Sequence, residues 1–258
     1  SGKTGLAFNF DTAGAYVTIP AAASLNLGAN AGFTVEAWIY PTDIASAHPV
    51  FEWGRVNNNW GVHFWISVNL AGGGSGSLYA NVADTGGGGH SFSSAPGRVP
   101  ANVWTHVALT YDKASGVGKM FCNGTNVATA TLGSFTPQTT SPLHLGYRPY
   151  DNTRFAGMLD EPALYSRALS TNEIQAIYLA NGGGKCSGGP RPSLSITPIS
   201  GNTWNLSWPT SAIGYAPQFT DALGGAWQPL GGTPIIVDNQ NVLTIQATGT
   251  ARFYRLKQ

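Results

Sequence analysis

Charge is what this sequence has least of. Asp, Glu, Lys and Arg make up only 10% of its 258 residues, thirteen of them basic and twelve acidic. A balance so close to zero argues against nucleic acid or an anionic membrane as the main partner, because both select for basic patches. Long apolar runs are missing too. None approaches the roughly 18 residues of a spanning helix, so no membrane insertion is expected. An initiator Met and a signal peptide are also lacking, and the chain is read as a mature product or an excised piece of something longer. What is plentiful is glycine (34) and proline (16), which demand many turns. The length suits one large all-β domain or two ordinary ones.

Alternation with period two dominates to about residue 165. In "FTVEAWIYP", Phe33, Val35, Ala37 and Ile39 share one face, and Thr34, Glu36, Trp38 and Tyr40 the other. "WGVHFWISV" sets Trp60, Val62, Phe64 and Ile66 against His63, Trp65 and Ser67. The first row is the more apolar and is predicted to point between sheets. "KMFCNGTNVATAT" reads as a hairpin around Asn123-Gly124. The fold class predicted is all-β: a two-sheet antiparallel sandwich or jelly roll with one short helix.

That helix is signalled by Ser170 and Glu173 as a capping box and by Leu169 with Ile174 as a hydrophobic staple. Asn181-Gly182 supplies the stop. "NGGGKCSGGPRP" follows as a linker, and beyond it lie five or six short predicted strands, a second small β-sandwich. The boundaries expected are 1–186, a linker at 187–192, and 193–258. Low charge, abundant aromatics and Ser/Thr/Asn/Gly loops suit a secreted bacterial protein. Two cysteines, Cys122 and Cys186, suit an oxidising compartment. A disulfide between them would staple the tail after the helix onto a strand. Two separate thiols are the alternative.

Four stretches together resemble the concanavalin A-like laminin-G superfamily in its secreted bacterial form: "GLAFNFDTAGAYVTIP", "SLNLGANAGFTVEAWIYPT", "VWTHVALTYDKASGVGKMFCNGTNVAT" and "LHLGYRPYDNTRFAGMLDEPALYSRALSTNEIQAIYLANGGGKC". The tail from Ser193 to Lys257 is similar to small immunoglobulin- or fibronectin-III-like modules. The first resemblance implies a jelly roll serving as a glycan- or protein-binding module, often with a structural calcium.

Asp160 and Glu161 are adjacent, and consecutive strand residues point to opposite faces, so they do not form a catalytic dyad. Asp160 shares an apolar face with Met158, Pro162 and Leu164, where an unpaired carboxylate is costly. Two partners are open to it. The resemblance implies calcium held by Asp160, Asp11 and the backbone near Leu27 to Asn30, including Asn30. The other reading has Asp160 capping backbone amides. Pro162 marks a bulge or an edge.

Catalytic signals are absent. The laminarinase-type hydrolases of this fold need E-x-D-x-E or E-x-D-x-x-E, and neither occurs. There is no G-x-S-x-G elbow and no zinc spacing among the histidines. Aromatic residues interleaved with polar ones remain. Trp60, His63, Trp65, Tyr79, Asn81, Tyr147, Arg148 and Tyr150 supply rings for stacking on sugar and groups for its hydroxyls. Taken singly, each ring reads more readily as core than as a ligand platform. A non-catalytic carbohydrate-binding module with a polysaccharide or glycan partner is the function expected. A protein-binding or adhesive module is the rival, as is an accessory segment of a larger protein carrying a catalytic domain.

Overall fold

The computed structural model describes residues 2–11, 14–181, 192–212, 214–222, 224–246 and 251–257. It divides into two compact units, Ser1–Lys185 and Cys186–Gln258.

Two six-stranded antiparallel sheets make the first unit. The back sheet holds β1 (Phe8–Asn9), β3 (Gly32–Pro41), β8 (Thr105–Asp112), β9 (Val117–Cys122), β10 (Thr125–Thr131) and β14 (Gly157–Tyr165). Their spatial order is β1-β14-β3-β8-β9-β10. The front sheet holds β2 (Val17–Ile19), β4 (His48–Trp53), β5 (His63–Ile66), β6 (Leu78–Asn81), β7 (Ser91–Ser93) and β11 (Leu143–Leu145), ordered β2-β11-β4-β5-β6-β7. A two-stranded hairpin, β12 (Tyr147–Arg148) with β13 (Thr153–Arg154), stands apart from both.

Alternation sorts the side chains as the sequence predicts. Phe33, Val35, Ala37 and Ile39 of β3 join Phe51, Trp53, Phe64 and Ile66 of the front sheet in one buried cluster. Each such burial is worth about 1.5–3 kcal/mol. One row differs. Val62, Phe64 and Ile66 enter the core, but Trp60 does not. A Cβ on Gly61 would lie 2.4 Å from the Trp53 carbonyl oxygen, so the chain presses against β4 there, before β5 begins at His63. Trp60 is left in the loop.

The Asn123-Gly124 hairpin forms with φ of 48° and 75°, the left-handed pair that a two-residue turn between twisted strands requires. Next to it Cys122 faces the sandwich interior and is a free thiol. Its Sγ–H donates to the Arg98 carbonyl at 3.1 Å, and burial pushes the thiol up to about 11. The expected bridge to Cys186 is therefore not seen from this side, and Cys186 lies outside the described residues. Phe121 points the other way, towards helix α1 (Thr171–Ala180).

That helix carries the predicted capping box of Ser170 and Glu173, and packs Leu169 and Ile174 onto Ala108 and Phe121 on the outer face of the back sheet. Nearby on that face Glu36 and His106 form a fully buried pair at 3.1 Å. On β14 the register shifts between Asp160 and Ala163, with Glu161 at φ 50°, so Pro162 does sit in a bulge.

The second unit is a small sandwich. One sheet orders β15 (Ser195–Ser200), β16 (Thr203–Pro209), β20 (Gln240–Gln246) and β19 (Ile235–Val237). The other orders β18 (Gln228–Pro229), β17 (Ala216–Thr220) and β21 (Phe253–Lys257). Its core centres on Leu206, Trp208, Leu243 and Ile245. Most of the expected linker, 187–191, lies outside the described residues.

Candidate functional site

The outer face of the front sheet carries a polar and aromatic layer set by register. Glu52 on β4 pairs with His63 on β5 and with His144 on β11. Trp65 pairs with Tyr79 on β6, and His63 with Asn81. The Trp65 Nε1–H donates to Glu52 Oε2 at 2.7 Å. Burial pushes the Glu52 carboxyl up to about 8, against the pull of that hydrogen bond and of the Arg148 charge. Burial likewise holds His63 down to about 4, so its ring is neutral at physiological pH.

Over this layer folds the β12–β13 hairpin. Its turn residue Asp151 accepts from Arg148 Nε at 3.0 Å and from Arg148 Nη2, a two-pronged grip. Thr153 adds its backbone N–H and its hydroxyl to the same carboxylate. The Arg148 hydrogen bonds hold Asp151 down to about 2. Arg148 is thereby fixed over Trp65, 4.0 Å from the ring centroid, with Trp60 at 5.3 Å.

Beside Arg148 opens a cavity of about 250 Å³ lined by Glu52, Gly54, Arg55, Trp60, Arg148, Pro149 and Tyr150. Trp60 and Tyr150 meet edge to face at 5.1 Å and 77°. Arg55 lies over both rings, 4.6 Å from Trp60 and 4.4 Å from Tyr150. A tight turn builds this wall: Val56 and Asn59 bridge across Asn57 and Asn58, whose φ values are 48° and 68°. Asparagine tolerates that left-handed conformation. The turn brings Arg55 and Trp60 back to opposite arms, and Arg55 donates from Nε and Nη2 to the Asn58 carbonyl.

Of the predicted ligand residues, the structure brings Trp60, Arg148 and Tyr150 together at the cavity. His63, Trp65 and Tyr79 lie buried beneath it rather than on an open floor, with Trp65 only 3% exposed because Arg148 covers it. Asn81 is tied to the neighbouring edge, accepting from the His90 N–H at 2.7 Å. Tyr147 points to the other side of the hairpin, 4.5 Å from Tyr16 and under Arg154. Sequence reading missed Glu52 and Arg55. The Asn-Asn turn in "WGRVNNNW" was the signal for Arg55, since it sets that residue across from Trp60.

The three residues named for calcium do not form one site. Asp160 Oδ2 accepts from the Thr4 N–H at 2.7 Å, and Oδ1 from the Glu161 N–H at 2.8 Å. Asp11 accepts from Thr42, just past the end of β3, whereas Asn30 precedes its start and binds the Leu27 carbonyl. A strand of that length separates them by roughly 30 Å. Among the described residues no three His, Cys, Asp or Glu side chains are grouped to hold a metal ion.

A family profile described as the concanavalin A-like lectin/glucanases superfamily matches residues 11–175. No curated protein matches the sequence. Among solved structures, the CBM40 of a Ruminococcus gnavus IT-sialidase bound to α2,3 sialyllactose is 20% identical, with a TM-score of 0.51, over 68% of this chain and 96% of that one. The SAP-like pentraxin of Limulus polyphemus is 16% identical, with a TM-score of 0.50, over 68% and 82%. A candidate carbohydrate binding protein from Bacteroides ovatus ATCC 8483 is 17% identical, with a TM-score of 0.54, over 96% and 59%. At these identities the likeness is one of fold.

Proposed function

Since the chain belongs to the concanavalin A-like lectin/glucanases superfamily, we propose that it is a secreted, non-catalytic carbohydrate-binding module whose glycan site is the arginine–aromatic cavity. One observation carries this reading: Trp60, Tyr150 and two guanidinium groups converge on a concavity held open by a locked hairpin. Sugar rings stack their C–H faces on aromatic side chains, and planar guanidinium groups donate to their oxygens. A volume of about 250 Å³ falls just below the roughly 300–1,000 Å³ of drug-sized sites, which suits one ring of a longer chain. Fold neighbours from Ruminococcus gnavus and Bacteroides ovatus are described as carbohydrate binders, so the function lies within the fold's repertoire.

The carboxylates support binding rather than reaction. Asp151 is occupied by Arg148 and Thr153, and Glu52 Oε2 by Trp65. The second unit supports an immunoglobulin-like reading. Its larger sheet orders the first, second, sixth and fifth strands, which is the A-B-E-D order of that fold when β18 is counted as C′. No helix among the described residues is long and apolar enough to cross a membrane. A catalytic domain elsewhere in a longer parent protein fits the same scheme.

The test is a glycan-array screen followed by titration of the best binder. Trp60→Ala and Tyr150→Ala should each weaken binding by about 1–3 kcal/mol, taking the scale of base-on-aromatic stacking. Undiminished affinity in both, with native folding, would exclude this cavity as the site.

A further inference from the structure

The two arginines at the cavity differ in what they have left to give. Arg148 spends its fork on Asp151 and its face on Trp65. Arg55 has no carboxylate partner among the described residues. It donates instead to a neutral carbonyl, that of Asn58, from Nε and Nη2. A guanidinium has five N–H donors in a rigid plane, so those on Nη1 remain to be used. Two aromatic faces hold that plane in place, at 4.6 and 4.4 Å, so little order is lost when a ligand arrives.

We propose that the cavity selects an anionic sugar, with Arg55 receiving its carboxylate or sulfate while Trp60 and Tyr150 hold the ring. This rests on the reading of the cavity as the glycan site and names the class of glycan. The charges favour it. Two guanidinium groups face one ionised carboxylate, Asp151, and Glu52 keeps its proton up to about pH 8, so the pocket is positive at neutral pH. The groups around Glu52 do not reverse that sign. His63 on β5 is neutral above about pH 4, and burial also favours the neutral form of His144 on β11. Trp65 and Tyr79 carry no charge there, and the hairpin contributes Arg148 and Asp151. Within a partly closed cavity this attraction is less screened than at an open surface.

The experiment uses the whole chain and pairs of polymers differing only in charge. Polygalacturonate, alginate and hyaluronate are immobilised beside their carboxyl-reduced forms, and chondroitin sulfate beside its desulfated form. At least one acidic polymer should bind tenfold or more tightly than its neutral counterpart, and which pair responds separates carboxylate from sulfate recognition. Raising salt or moving from pH 7 to pH 9 should weaken that binding, and Arg55→Gln should abolish the difference within the pair. If neutral glycans are bound as tightly as acidic ones, the inference falls while the glycan site stands. If no polymer and no glycan on an array is retained, the reading beneath it falls as well.

Discussion

Glu52 is an acid placed where its charge is expensive, and the cost shows in how stability depends on pH. Unfolded, it ionises near 4.5; folded, burial holds its proton up to about 8. Its contribution is intact below pH 4.5 and is lost as pH rises, at about 1.4 kcal/mol per pH unit, until the folded group ionises too. His63 runs the other way. Its contribution is complete above pH 6.5 and falls as pH drops towards 4. The two slopes oppose each other between 4.5 and 6.5, leaving a decline from 6.5 to 8 that belongs to Glu52. Melting temperature should therefore drop over that interval, and Glu52→Gln, which can still accept from Trp65, should flatten it. An unchanged alkaline decline in the variant would mean another group is responsible. Asp160 offers a second case. Both its oxygens accept backbone N–H groups, so Asp160→Ala should cost about 1–3 kcal/mol by orphaning them. Chelator should leave melting unmoved, whereas a fall reversed by added calcium would restore the metal reading. The sequence showed that Asp160 needed a partner but not which. One N–H comes from the adjacent Glu161, the other from Thr4, more than 150 residues away, and pairing at that range has no local signature.

Elements were more legible than residues, because each has a period or a punctuation mark. β3 could be read from its alternation, α1 from its capping box and the β9–β10 hairpin from Asn123-Gly124. Alternation misleads where a strand has not yet begun, as at Trp60, whose phase matches Val62 although β5 starts only at His63. Periodicity places that ring in the core, whereas its interleaving with polar residues names it for the ligand, and it lines the cavity. The β12–β13 hairpin has no such mark, since its role depends on Arg148 reaching across to Trp65 of another strand. The Asn57-Asn58 turn is the element on which the other wall depends. At φ 68°, a β-branched residue in place of Asn58 is strained, whereas glycine is not. Asn58→Val should lower stability by about 1 kcal/mol or more and weaken glycan binding, and Asn58→Gly should preserve affinity. Titration of both variants against one ligand checks this. Equal affinity for Val and Gly would show that the wall does not depend on the turn.

At the scale of the whole molecule the two units differ in how much they bury. The first has a core drawn from both six-stranded sheets, with Phe33, Phe51, Trp53 and Phe64 at 0–1% exposure. The second centres on Leu206, Trp208, Leu243 and Ile245, and its edge strands β15 and β19 leave Ile196, Ile199, Ile235 and Ile236 exposed. Small domains bury a smaller share of their surface and are correspondingly marginal. Calorimetry should therefore show two transitions, the second unit melting first. Trp208→Ala should depress the lower one, as core Trp-to-Ala changes cost about 3–5 kcal/mol, and leave the upper one in place. A glycan bound in the cavity interacts only with the folded first unit, so by mass action it should raise the upper transition alone, by about 2.7 kcal/mol at a hundredfold excess over Kd. That asymmetry tests the site assignment and the division into units together. A ligand that lifts both transitions equally, or a single transition that Trp208→Ala moves as a whole, would mean that the units unfold as one body and that the small sandwich is part of the binding domain's own stability.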